Sequence, residues 1–144
     1  MNNILYLIRH GENPANITKE LSHKIIDYSL TPKGIEQARQ TADFFKNTEI
    51  NYIYSSPLKR AYETASFIAA AKNLNIGIIE GLREMNVGDL EKDPLSKKSW
   101  DSYFDVLRKW MDGNHEERFP GGENYKEAKE RMLNSLKTAI SNKN

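Results

Sequence analysis

Ile4-Leu5-Tyr6-Leu7-Ile8-Arg9-His10-Gly11-Glu12 is the stretch on which the fold reading turns. Five apolar residues without polar alternation have the pattern of a strand buried on both faces, as in a parallel sheet covered by helices. The run ends in a cation, an imidazole and a glycine, which places these groups at the carboxyl mouth of that strand, where ligands gather in open α/β sheets. A phosphate ester suits the group. The planar fork of Arg9 can hold two phosphate oxygens, a neutral His10 nitrogen can attack phosphorus, and Gly11 lets the backbone come close. Taken alone, Arg9-His10 is equally readable as a hydrogen-bonded surface pair.

Working outward, residues 12 to 30 read as a long loop. Thr31-Pro32 then supplies an N-cap and a first-turn proline, and Ile35, Ala38, Ala42 and Phe45 repeat at helical spacing, so a helix is expected from about Pro32 to Phe45. Ile50 to Tyr54 reads as a second strand, and Ser56-Pro57 restarts a helix with Ala61, Ala65, Ile68 and Ala69 on its apolar face. Ile76 to Ile79 makes a third short strand. The segment from 4 to 80 is thus a βαβαβ unit, for which a parallel sheet with right-handed crossovers is expected. Trp100, Phe104, Leu107 and Trp110-Met111 predict another helix. Tyr125, Ala128, Met132, Leu136 and Ile140 predict the last, after a polar loop ending in Phe119-Pro120-Gly121-Gly122.

The 144 residues fit one domain, 1–144. With 21 basic and 20 acidic residues the net charge is +1, which provides no general field for nucleic acid or an anionic membrane; any anion site is local. The absence of Cys excludes disulfides, thiolate catalysis and Cys-based zinc sites. The N-terminal apolar run is too short for a signal core or a membrane span, so a cytoplasmic protein is expected.

Two further residues join the first pair by position. Arg60 falls in the first turn of the helix after the second strand, where a cation opposes the helix dipole unless an anion binds between them. Glu84 follows the third strand, where a carboxylic acid can protonate an alkoxide leaving group. An ordinary solvated arginine and a surface Arg83-Glu84 pair are the plainer readings of the same residues.

Five ordered segments resemble the histidine phosphatase superfamily, in its phosphoglycerate mutase-like branch. They are Leu7–Glu12 with Asn16; Leu30–Gly34 with Gln37-Ala38; Tyr54–Ala61 with Thr64-Ala65; Leu82-Arg83-Glu84; and Pro120–Glu123. The resemblance implies a three-layer α/β/α fold with a mainly parallel central sheet, truncated at its C-terminus. By it His10 is the residue phosphorylated during turnover, Arg9 and Arg60 hold the phosphoryl group, and Glu84 is the proton donor. Gly11, Asn16, Ser22 and His23 then fall among the substrate-binding residues. Arginine and imidazole groups take the place of a metal, so neither metal nor cofactor is expected.

The resemblance also implies a second catalytic histidine, in a later strand ending in His-Gly beside the strand that bears the nucleophile. No such segment occurs here. His23 and His115 are the other histidines; both read as solvated loop residues, His23 being the better candidate for substrate contact. Unpaired sheet edges lead us to expect dimerisation, strand exchange or marginal stability. The function expected is hydrolysis of a small phosphorylated metabolite through phosphohistidine. Phosphoryl transfer of the mutase type and a silent phospho-ligand or partner binder are the alternatives. The stretch Asn86–Glu91 lacks the basic contacts a mutase needs, and Trp100 and Trp110 read as core.

Overall fold

The structure is a computed structural model describing residues 4–141. Its element order is α1 (Pro14–Thr18), α2 (Pro32–Phe44), β1 (Ile53–Ser55), α3 (Lys59–Lys72), β2 (Ile76–Ile78), α4 (Lys97–Met111) and α5 (Tyr125–Ser141). Short 3-10 turns cover Glu80–Leu82 and Gly88–Lys92. β1 and β2 pair in parallel, Ile53 with Ile76, Tyr54 with Gly77 and Ser55 with Ile78, joined by α3. This is an α/β fold with a small parallel sheet.

Helix α2 starts as its sequence predicts: Thr31 Oγ1 accepts from the Gly34 amide at 3.1 Å, with Pro32 in the first turn. α3 starts two residues later than expected, because Leu58 occupies the cap position and has no side-chain acceptor. Asp27 caps from a distance instead, its Oδ1 accepting from the Lys59 amide at 2.8 Å. The loop before α2 contains an unforeseen turn of helix, α1, capped reciprocally by Asn13 and Asn16.

Two apolar clusters result. Ala42, Phe45 and Ile68 join α2 to α3 beneath β1, with Ile50, Ile53 and Phe67 around them. The second gathers Leu21, Val87, Leu90, Val106, Trp110 and the fully buried Phe119 under α4. Trp110 is core, as expected. Trp100 is only half-buried, and its indole N–H straps α4 to the Lys19 carbonyl at 3.0 Å.

One expectation is corrected. Ile4–Ile8 is not a buried strand: it pairs with nothing in the sheet, and its side chains are exposed, from 41 % at Tyr6 to 75 % at Ile4 and Leu7. An apolar run on both faces specifies burial but cannot supply its own hydrogen-bonding neighbour, and β1 is paired with β2 alone. α5 is open in the same way, with Met132, Leu133 and Ile140 exposed along it. The first apolar run therefore lies outside the sheet, which holds two strands instead of three.

The segment is anchored where it ends. A Cβ on Gly34 would lie 2.0 Å from the Glu12 carbonyl oxygen, and one on Gly11 2.5 Å from the Gly34 carbonyl oxygen. Residues 11 and 12 thus cross the first turn of α2 backbone against backbone, locked by Thr31 N–H to the Glu12 carbonyl at 2.9 Å and Glu12 N–H to Gln37 Oε1 at 2.8 Å. Any side chain at 34 forces the two backbones apart. Gly34→Ala should lower stability by about 1–3 kcal/mol, read as a reduced urea midpoint with an unchanged slope; an unchanged midpoint would show that the crossing yields freely.

Candidate functional site

The crossing delivers His10 to the N-terminus of α3. The Gly11 amide donates to Thr64 Oγ1 at 3.0 Å, and the Thr64 hydroxyl donates to the Arg60 carbonyl at 2.7 Å. His10 Nδ1 lies 2.7 Å from the Gly11 carbonyl oxygen. A carbonyl only accepts, so Nδ1 carries the proton and the lone pair is on Nε2. Arg60 Nε donates to that Nε2 at 3.2 Å. Burial lowers the His10 pKa, and Arg60 and Arg9 lower it further, while the Gly11 carbonyl and Glu84 act in the opposite sense. The imidazole is therefore biased toward its neutral, nucleophilic form.

Arg60 is 3 % exposed. Its Nη2 donates to the Ser22 carbonyl at 3.0 Å, while its buried Nη1 has no hydrogen-bond partner among the described residues. A buried guanidinium with an unused donor beside the imidazole Nε2 is an anion-accepting arrangement. Ser22 contributes through its backbone oxygen. Its hydroxyl is not the group involved.

Glu84 is exposed, and its charge acts on both His10 and Arg60, so the acid lies within electrostatic reach of both. Its Oε1 accepts from the Met85 amide at 3.0 Å. The loop bearing it is braced by Arg131, whose Nη1 donates to the carbonyls of Gly81 and Arg83 at 2.7 and 3.0 Å. Glu123, from the Pro-Gly-Gly-Glu segment, pairs with Arg131 at 2.6 Å and accepts from the Asn86 amide at 2.8 Å.

Arg9 is exposed and lines a pocket of about 330 Å³ with His10, Gly11, Asn16 and Gln37. Asn16 reaches this pocket, but its Oδ1 is committed to capping, accepting from the Asn13 amide and side chain at 3.0 Å each. His23 departs from the solvated reading. It is buried, and its Nδ1 donates to the Glu84 carbonyl at 2.7 Å, because the loop from 20 to 30 folds against the Glu84 backbone rather than into solvent. His115 stacks on Tyr125 with ring centroids 4.4 Å apart, in the region under α4.

The sequence reading missed three contributors. Tyr103 on α4 lies within the field of Glu84; burial first and then that charge raise its pKa. Thr64 hydrogen-bonds the Gly11 amide, and Glu91 is buried against the loop that holds Ser22 and His23. Glu91 carried a signal, as a carboxylate directly after the apolar Leu90 in a stretch already singled out, and Thr64 stands in one of the resembling segments, where no role was drawn for it. Among the described residues no cluster of three or more His, Asp or Glu side chains could hold a metal ion, and no helix is long and apolar enough to cross a membrane.

Comparison with known proteins gives a consistent result. The model of the histidine phosphatase superfamily, branch 1, matches residues 5–144. The protein named "Putative phosphoserine phosphatase 2" of Hydrogenobacter thermophilus is 33 % identical over 140 residues, 95 % of this chain and 66 % of its own length. "Probable phosphoglycerate mutase GpmB" of Salmonella choleraesuis is 33 % identical over 141 residues, 94 % of this chain and 62 % of its own. The chain thus spans somewhat less than two thirds of these relatives. Among solved structures, the alpha-ribazole phosphatase of Shigella flexneri superposes with a TM-score of 0.72 at 27 % identity, covering 90 % of this chain and 63 % of that one. YhfR of Bacillus stearothermophilus shares the fold at a TM-score of 0.80, covering 94 % of this chain and 66 % of that one, at 24 % identity.

The depressed His10 pKa has a stability consequence. As pH falls through about 6.5 the unfolded chain binds the imidazole proton before the folded one does, so stability is complete above that pH and is lost below it. Denaturation midpoints of the wild type, taken relative to His10→Gln, should fall as the pH is lowered from 7 toward 5. A pH-independent difference would refute the assignment, and an NMR titration of the His10 ring should place its midpoint below that of a solvated imidazole.

Proposed function

The chain belongs to the histidine phosphatase superfamily, branch 1, and from that premise we propose that its site cleaves phosphomonoesters of small metabolites through a phosphohistidine on His10. The observation that carries the reading is Arg60 Nη1, a buried cationic donor without a partner, next to the nucleophilic His10 Nε2. A phosphoryl oxygen satisfies that donor. Leaving such a donor unpaired costs about 1–3 kcal/mol or more, which the bound dianion recovers.

The step follows from these positions. His10 Nε2 forms its bond to phosphorus as the bond from phosphorus to the ester oxygen breaks, and Glu84 gives its proton to the departing oxygen. Arg60, with Arg9 from the exposed side, neutralises the equatorial oxygens. Water, losing a proton to the Glu84 carboxylate, then cleaves the phosphorus–nitrogen bond, returning protonated Glu84, neutral His10 and phosphate. Asn16 lines the pocket beside His10, His23 braces the Glu84 backbone, and the Ser22 carbonyl fixes the arginine. Phosphoserine, phosphoglycerate and alpha-ribazole phosphate appear in the names of the relatives and share one dianion, the part this site addresses. Hydrolysis is favoured over mutase transfer because Asn86–Glu91 carries no cation, and Lys92, which follows it, is paired with Asp89 at 2.7 Å.

The exposed Ile4–Ile8 run carries a proposal about association. Five apolar residues beside a two-stranded sheet make an unprotected edge, and a second copy of the chain supplies the matching one. We read 1–144 as one domain that pairs through this edge. Sedimentation should reveal concentration-dependent dimers that Leu7→Lys converts to monomer; a wild type that stays monomeric at all concentrations would refute it.

For the chemistry, the chain is mixed with para-nitrophenyl phosphate, quenched in base and examined for a base-stable, acid-labile phosphoryl group. The wild type should carry it on His10 and His10→Ala should carry none. Glu84→Gln should slow ester cleavage by roughly 10²–10⁴-fold. Phosphate binding without any adduct would identify a binder instead.

A further inference from the structure

Glu91 is 4 % exposed, its charge acts on Arg60, and its carboxylate has no cationic partner in its hydrogen bonds. Its Oε1 accepts from the backbone amides of His23, Lys24 and Ile26 at 2.8, 2.8 and 2.9 Å, and Oε2 takes a second contact from Lys24 at 3.1 Å. Burial pushes its pKa up, but these backbone donors outweigh it, and the net direction is down. The carboxylate is therefore ionised and caged. Such a cage is a strong constraint, because three amides of one short loop converge on one oxygen.

The loop so gathered touches the site at two places. Ser22, one residue before the cage, gives its carbonyl to Arg60 Nη2 at 3.0 Å. His23, within the cage, donates from Nδ1 to the Glu84 carbonyl at 2.7 Å. One buried anion thus sets the arginine and the acid through a single loop.

We infer that Glu91 is a positioning residue, whose caged carboxylate fixes residues 22–26 so that the Ser22 carbonyl aims Arg60 at His10 Nε2 while His23 holds the Glu84 backbone. The inference rests on the roles given above to Arg60 and Glu84, but its first readout needs no substrate. Without the cage, Ser22 no longer restrains Nη2, the guanidinium leaves His10, and solvent reaches the imidazole. Of the charged groups around His10, which are Arg9, Arg60 and Glu84, the loop holds the last two, and Arg60 has the larger influence on the imidazole, so its departure sets the sign.

The test compares wild type, Glu91→Gln and Glu91→Asp. Glu91→Gln keeps the size but replaces one acceptor oxygen by a donor, and Glu91→Asp keeps the charge with a shorter reach. In ligand-free Glu91→Gln the amides of His23, Lys24 and Ile26 should lose hydrogen-exchange protection, and the His10 NMR midpoint should rise toward that of a solvated imidazole. Phosphohistidine formation should slow on the order of 10²-fold, with Glu91→Asp intermediate in all three. A folded Glu91→Gln whose His10 midpoint and arginine Nε–H signal match the wild type would overturn the inference, whether or not the loop amides are deprotected. If Glu91→Gln does not fold, the same comparison is decided on Glu91→Asp. Absence of phosphohistidine in the wild type would count against the catalytic reading alone, because the ligand-free midpoint still reports the positioning.

Discussion

The buried guanidinium of Arg60 is the constraint around which the site is arranged. A charge removed from water is tolerated only when its donors are occupied, and the chain occupies two: Nε by His10 and Nη2 by the Ser22 carbonyl. Each partner is itself held elsewhere. His10 is fixed through Gly11, whose carbonyl sets the ring tautomer and whose amide reaches Thr64 on the arginine's own helix. Ser22 is fixed by the loop that follows it. The remaining donor, Nη1, has no partner among the described residues.

Much of the acidic inventory serves the loops. Glu91 accepts from three amides between 23 and 26, Glu123 from Asn86, Glu63 from Leu30 and Asp27 from Lys59. Long irregular segments leave amides that no ladder or helix satisfies, and carboxylates are the strongest acceptors available to them. The balanced composition of 21 basic and 20 acidic residues therefore conceals a division of labour. Several carboxylates shape backbone, and two arginines stand at the site.

The glycines have comparable leverage. Gly11 and Gly34 allow the residues after His10 to lie directly on the first turn of α2, so His10 is positioned by main-chain contact, which has few degrees of freedom to lose. The apolar surfaces lack that closure. Ile4–Ile8 and the exposed side of α5 are hydrophobic where the described residues provide nothing to cover them, and the sheet remains at two strands. The site is thus defined by polar contacts in a molecule whose apolar layers are partly open.

What the sequence determined by itself is local. Helical spacing with Thr31-Pro32 located α2, the repeats of Trp100–Met111 and Tyr125–Ile140 located α4 and α5, and motif position singled out His10, Arg60 and Glu84. These follow from periodicity, capping chemistry and the geometry of α/β units, all of which are written within a few residues. The ordered motifs gave the family for the same reason. Tertiary structure alone decided that Ile4–Ile8 stays outside the sheet, since an apolar run demands burial but cannot choose its partner. It also decided that Asp27 caps α3, that His23 is buried against Glu84, and that Glu91 cages the loop. Each of these joins residues more than thirty positions apart. A side chain's donor or acceptor capacity is fixed by its type, but which backbone amide it meets is set only when the chain has closed around it.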